Sequence, residues 1–252
     1  LHFLLVVSLM FSVVGFSQQV LHPDHGFVVL DSLQPADSST EATIAPFRKA
    51  IEHEMNQVIG QASQPLGVDK PNSPLSSLMT DMMMAVVNER LLGAIPDSIG
   101  KADLAVVNTK GIRTSLPQGS ILVRQIYEIM PFENELVVLG MTGVEVKQLF
   151  RFMASQGGDG LSGASFKISG LDATDMKVNG LLVDDSRVYR VVVSDYLANG
   201  GDKYSVLQQC QWRFNTGIKV RDAFIEYIRQ ECKSGKPLVP SPVIRIVKDN
   251  RL

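Results

Sequence analysis

Histidine is scarce in this chain and absent from most of it. All four, His2, His22, His25 and His53, fall near the N-terminus. A Ser-His-Asp triad or an imidazole-held catalytic metal needs histidine inside the folded body, and beyond His53 there is none. The His22-Pro23-Asp24-His25 cluster could touch a metal, but a lone cluster in an N-terminal arm is usually a solvated loop. Cysteine is limited to Cys210 and Cys232, which allows one disulfide or two separate buried thiols, and sequence spacing does not choose between them. No Lys/Arg run exists, and a net charge of -2 lacks the clustered positive charge that a phosphate backbone requires. Nucleic acid is thereby excluded as a partner. No repeat period is apparent, which excludes a solenoid.

Long apolar runs are also few. Phe3 to Phe16 is almost wholly apolar, yet short for a membrane span, and no cysteine follows it to carry a lipid. Gly15 and Ser17 are the small residues expected at a signal-peptidase site, with Gln18-Gln19 after them. The reading is a secretory signal cleaved after Ser17, hence an exported protein, periplasmic or secreted, with no stable membrane anchor. A buried N-terminal helix or a single anchor is the competing reading. The chain opens on Leu without a basic stretch, as expected of a sequence clipped upstream.

What remains is ordinary globular composition, 45% hydrophobic and 20% charged over 252 residues. A signal segment over 1–17 and an arm and linker over 18–43, polar from Gln34 to Thr43, precede a folded domain over 44–252. Ile44, Phe47, Ile51, Met55 and Val58 recur at helical spacing, and 60–72 reads as irregular. A second helix from about Ser73 carries the stripe Leu75, Leu78, Met79, Met82, Met83, Val86 and Val87, which suits core packing better than an adaptable groove. Strand-like and helix-like runs then mix. Strands are expected near 104–107, 121–122, 136–141, 165–169, 176–183, 187–194 and 243–247, and helices near 123–129, 144–154 and 219–233. The absence of a regular βαβ beat favours α+β.

Two loops after apolar strands carry the polar chemistry. The first is Asn108-Thr109-Lys110-Gly111-Ile112-Arg113, and the second Ser194-Asp195-Tyr196-Leu197-Ala198-Asn199-Gly200-Gly201-Asp202. An amide and a guanidinium on one loop, with a carboxylate and a ring on the other, can hold a polar ligand that has a flat ring and an anionic end. They cannot break a bond by themselves. Arg113 matches phosphate or carboxylate in bidentate fashion, or forms a surface salt bridge. Phe132, in Met130-Pro131-Phe132-Glu133-Asn134, and Tyr196 could sandwich a planar base, although each taken singly also suits a core. Asp202 could accept from vicinal hydroxyls or cap a helix starting at Tyr204. Gly158-Asp159-Gly160-Leu161-Ser162-Gly163 matches GxGxxG, but a helix precedes it and a strand follows. That order reverses the dinucleotide fingerprint, so a flexible loop is expected.

The order of these pieces resembles the C-terminal, substrate-binding domain of the 5'-nucleotidase family. The matching blocks are Asn108-x-x-Gly111-Ile112-Arg113, Pro117-x-Gly119, Ile126-Tyr127-x-x-Met130-Pro131-Phe132, Gly140-Met141-Thr142-Gly143 and Tyr196-Leu197-Ala198-Asn199-Gly200-Gly201-Asp202. The resemblance covers about 44–247 and implies a layered fold of mixed sheets flanked by helices. It implies a bound nucleotide or nucleoside, with Phe132 and Tyr196 on the faces of the base, Asn108 on its edge, Asp202 on the ribose and Arg113 on the sugar-phosphate side. Asn199 and Gly201 of the last motif complete the substrate-binding set. The family places two divalent metals on a separate metallophosphoesterase domain. The expectation is therefore no cofactor and no catalytic residue in this chain, and phosphomonoester hydrolysis in concert with a metallophosphatase on another chain. A non-catalytic exported nucleoside-binding protein and an inert scaffold are the rivals. Thr109-Lys110 stand where the family usually has more glycine, and Lys70 is the only cation near the family's arginine before the second helix.

Overall fold

The computed structural model describes residues 36–89, 91–92 and 95–249. The signal segment expected over 1–17 lies outside them. Among the described residues, 36–46 and the body from Phe47 onward fall into separate units. Helix α1 (Ser38–Met55) begins ahead of the apolar periodicity, because the Asp37 carboxylate accepts from the Thr40 N–H at 2.7 Å and starts the helix inside the expected linker. None of its side chains is buried, and Ile44, Phe47 and Ile51 are exposed.

The frame of the body is a five-stranded sheet. Its strands are β2 (Leu104–Val107), β4 (Glu135–Thr142), β5 (Gly160–Ser162), β9 (Val188–Ser194) and β10 (Trp212–Lys219), in the order β10-β4-β9-β2-β5. β2 and β9 are parallel, and the other pairs antiparallel. Leu136-Val137-Val138-Leu139 reads as an unbroken apolar run because β4 is buried on both faces. Leu136, Val138 and Val192 point into one apolar cluster, and Val137, Leu139, Val191 and Val193 into another. The first cluster is filled by α2 (Pro74–Glu89) and α6 (Val220–Glu231), through residues such as Met79, Met82, Met83, Phe224 and Ile228. The methionine stripe is core, as expected.

The second cluster is filled by α4 (Gly143–Ser155), with Leu149, Phe150 and Met153, and by a smaller sheet. That sheet orders β11 (Ile246–Lys248), β6 (Ala164–Ser169), β7 (Asp172–Val178) and β8 (Leu181–Leu182) as β11-β6-β7-β8. Phe150 stacks on Phe166 across this layer at 5.2 Å. Two short elements complete the body near the site, α3 (Val123–Ile129) and α5 (Asp195–Ala198). Mixed sheets flanked by helices are the α+β architecture that the sequence implies.

Several local expectations need correction. Val58–Ala62 is neither helix end nor irregular, but strand β1, antiparallel to β3 (Gly119–Leu122). The run near 176–183 is a hairpin broken at Asn179-Gly180, with β7 and β8 on either side. The glycine-rich 156–163 stretch is not a flexible loop: its centre is β5, fully buried and paired with β2. Both cysteines are free thiols, Cys232 packed against the first cluster and Cys210 against the second.

Candidate functional site

Because β2 and β9 lie side by side and parallel, they release their loops at the same end of the sheet. That is the end where open α/β sheets hold ligands. After β2 the chain makes a 3-10 turn over Thr109–Gly111. After β9, the Ser194 hydroxyl accepts from the Leu197 N–H at 3.3 Å, caps α5 and turns Tyr196 outward. The third contributor is the 130–134 loop between α3 and β4. A cleft of about 370 Å³ opens between the three, lined by Asn108, Lys110, Gly111, Arg113, Phe132, Asn134, Tyr196 and Asp202. A smaller recess beneath it reaches Met79, Met83 and Val107, so the core packing of α2 forms the floor.

Five of the residues expected at the site, Asn108, Arg113, Phe132, Tyr196 and Asp202, are thus brought together. Neither aromatic ring is core: Phe132 is 48% exposed and Tyr196 is 44% exposed. Asp202 sits in the left-handed region at φ 50° and is not a helix cap, since Tyr204 occupies that position before the 3-10 turn Ser205–Gln209. Its carboxylate accepts from the Asn108 amide at 2.7 Å and from the Tyr196 hydroxyl at 3.0 Å. The Asp202 N–H in turn donates to the Tyr196 oxygen at 3.2 Å. Gly201 lies under the ring, where a Cβ would stand 2.5 Å from Tyr196 carbons. Asn199 is not among the lining residues, and its amide oxygen accepts from Arg213 at 2.7 Å instead.

Sequence reasoning missed two lining side chains, Lys110 as a contact and Asn134. The Asn134 carbonyl accepts from the Val220 N–H at 2.9 Å, while its side-chain amide has no hydrogen-bond partner among the described residues. Its position two residues after Phe132 on one short loop was the available signal. Arg113 donates its backbone N–H to the Ile129 carbonyl at 3.0 Å, which ties its loop to the end of α3. Neither the Arg113 guanidinium nor the Lys110 ammonium has a carboxylate partner among the described residues. Lys70, the possible substitute cation, does not line the cleft; its ammonium donates to the Gln156 carbonyl at 2.8 Å and lies 3.5 Å from Asp159.

The Phe132 loop is fixed from behind. Buried Arg221 sits over the Tyr127 ring at 4.1 Å and bonds the Glu133 carboxylate, and this hydrogen bond holds that carboxyl below its ordinary range. Lys219 donates to the Glu133 carbonyl at 3.0 Å and to the Glu135 carboxylate at 2.9 Å. Asp195 joins the two aromatic loops, accepting from the Glu135 N–H at 3.1 Å and the Tyr196 N–H at 2.8 Å. The rings are therefore presented by anchored backbone around one cleft, together with an amide and two cations that have no side-chain partner among the described residues.

A family model for the 5'-nucleotidase C-terminal domain matches residues 58–209, which include all three loops. The chain is 26% identical over 209 residues to a 5'-nucleotidase of Vibrio vulnificus, a match spanning 81% of this chain and 36% of that protein. It is 28% identical over 192 residues to Protein UshA of Escherichia coli, spanning 74% and 34%. The crystal structure of a 5'-nucleotidase precursor from Thermus thermophilus superposes with a TM-score of 0.68 at 27% identity, covering 86% of this chain and 44% of that one. The chain spans less than half the length of each of these proteins. By its matched residues, its fold and its loop motifs, the chain belongs to the 5'-nucleotidase C-terminal domain family.

Proposed function

We propose that the cleft binds a nucleotide or nucleoside, with the base between Phe132 and Tyr196, the ribose hydroxyls on Asp202 and the phosphate toward Arg113 and Lys110. The observation that carries this reading is the pair of half-exposed rings on anchored loops around one cleft. Aromatic faces of this kind favour a planar base, each contact being worth ~1–3 kcal/mol. Each Asp202 oxygen retains a further lone pair after its internal bond, so a diol can be accepted without dismantling the rim. With the Asn108 amide engaged by Asp202, the free Asn134 amide is the better-placed reader of the base edge.

The chemistry proposed for this domain's ligand is phosphomonoester hydrolysis in concert with a metallophosphoesterase unit outside the described residues. Divalent metals would supply that unit with an activated hydroxide. The donor set here does not fit such metals: among the described residues no group of three or more His, Cys, Asp or Glu side chains gathers, and His53 stands exposed on α1. No reaction step is therefore assigned to these residues; they bind and orient. Export belongs to the same reading and rests on the apolar 3–16 run. Among the described residues no helix is long and apolar enough to cross a membrane.

Calorimetric titration of the purified chain with adenosine, AMP and UDP-glucose tests the binding. Saturable heat with at least one ligand, with weaker affinity in Phe132→Ala, is the expected result. Absence of binding to all three would overturn the reading.

A further inference from the structure

Asp159 belongs to the glycine-rich motif that the proposed site does not use. It is 4% exposed, just before β5, at the same end of the sheet as the cleft. One carboxylate oxygen accepts from the Thr109 N–H at 2.8 Å, at the start of the turn that follows Asn108. The other accepts from the Tyr204 hydroxyl at 2.5 Å, at the end of the loop that carries Asp202. Tyr204 is itself buried and packs edge-on against Phe152 at 4.7 Å. Lys70 lies 3.5 Å from the same carboxylate and offsets its charge from outside the cleft.

A carboxylate accepts in two directions at once, and its hydrogen bonds are stronger than neutral ones. Buried, it cannot exchange those partners for water without opening the structure. We propose that Asp159 is a positioning residue that fastens the Asn108 loop to the Asp202 loop and so sets the spacing between the two walls of the cleft. Lys70, outside the cleft and 3.5 Å from the same carboxylate, supports this bolt. The inference rests on the nucleoside-binding reading for its effect on affinity, but the mechanical coupling stands without it.

Three variants separate the cases. Tyr204→Phe removes one hydroxyl from the second loop and leaves the rest of the ring packing, so it is expected to fold. Asp159→Ala removes both anchors, and Asp159→Asn restores an acceptor for Thr109 and a donor for the Tyr204 oxygen. Amide hydrogen exchange, measured without ligand, is expected to quicken over 108–113 in Tyr204→Phe, although the change lies in the other loop. Adenosine affinity is expected to fall about tenfold in Asp159→Ala, as for loss of charge-assisted hydrogen bonds, and to recover in Asp159→Asn. Unchanged exchange over 108–113 in Tyr204→Phe would overturn the coupling whether or not any nucleoside binds. Coupled exchange in a chain that binds none of adenosine, AMP and UDP-glucose would instead overturn the nucleoside reading alone. Asp159→Ala that is folded and binds adenosine as tightly as the unmodified chain would overturn the positioning role.

Discussion

At the scale of single residues, the site rests on side chains whose usual places are elsewhere. Phe132 is large, apolar and half exposed, so Phe132→Ala removes little from the core and is expected to cost about 1–3 kcal/mol in nucleoside binding, with a melting temperature near that of the unmodified chain. Calorimetry and thermal melts on the same sample check both halves. Asp202→Ala also releases Asn108 and Tyr196, so affinity for one ligand would confuse two effects. The cleaner expectation is a ratio: Asp202→Ala weakens adenosine more than 2'-deoxyadenosine, because only the former offers both hydroxyls. Equal losses would remove the diol assignment. That Asn108, Arg113, Phe132, Tyr196 and Asp202 share one cleft was legible because each sits in a short motif on a loop next to a strand. Lys110 and Asn134 were not singled out: closeness to Gly111 and Phe132 pointed toward them, but sequence alone does not say which neighbours of a motif residue share its direction. The engagement of the Asn108 amide by Asp202 is a contact across 94 residues, beyond any local pattern.

Among the elements, the 130–134 loop is held by charge. The Glu133 carboxyl is kept below its ordinary value by its hydrogen bond from Arg221. A carboxyl with a depressed folded-state pKa contributes stability that is present above its unfolded pKa and lost as pH falls through the folded one. Unmodified protein and Glu133→Gln are therefore expected to differ in melting temperature at neutral pH and to converge as pH falls below the usual carboxylate range. Melts from neutral pH downward check this, and a gap that persists in acid would assign the stabilisation elsewhere. Elements with strong periodicity, α2, α4 and α6, were readable from the chain, as were the apolar strands β2, β4 and β9. β1 was not, because its strand character comes from pairing with β3, some 60 residues on. The β7–β8 turn was signalled by Asn179-Gly180, a dipeptide suited to two-residue hairpins, and the apolar residues on both sides obscured it. β5 was hidden by Gly160 and the glycines that flank it, which lower strand propensity while pairing with β2 determines the outcome.

For the whole molecule, the proposed division of labour has a direct consequence: protein spanning 36–249 should bind nucleoside without hydrolysing phosphomonoesters. p-Nitrophenyl phosphate and AMP, offered with manganese or zinc, are expected to remain intact, and turnover that tracks the protein peak through repurification would refute this. The α+β class and its layering were legible because apolar runs and amphipathic stretches alternate without a βαβ rhythm. The sorting of those runs into two cores was not, since a strand buried on both faces shows no alternation. This leaves the central sheet with an alignment problem. Sliding β4 by one residue would exchange Leu136 and Val138 for Val137 and Leu139, one apolar set for another, and the greasy pattern would scarcely object. What distinguishes the correct alignment is a missing side chain. Gly140 lies opposite Trp212, and a Cβ there would stand 2.1 Å from the indole nitrogen. The indole can cross β4 only where that strand carries a bare backbone, so a single hydrogen atom in place of a methyl acts as the index mark for β10 on β4.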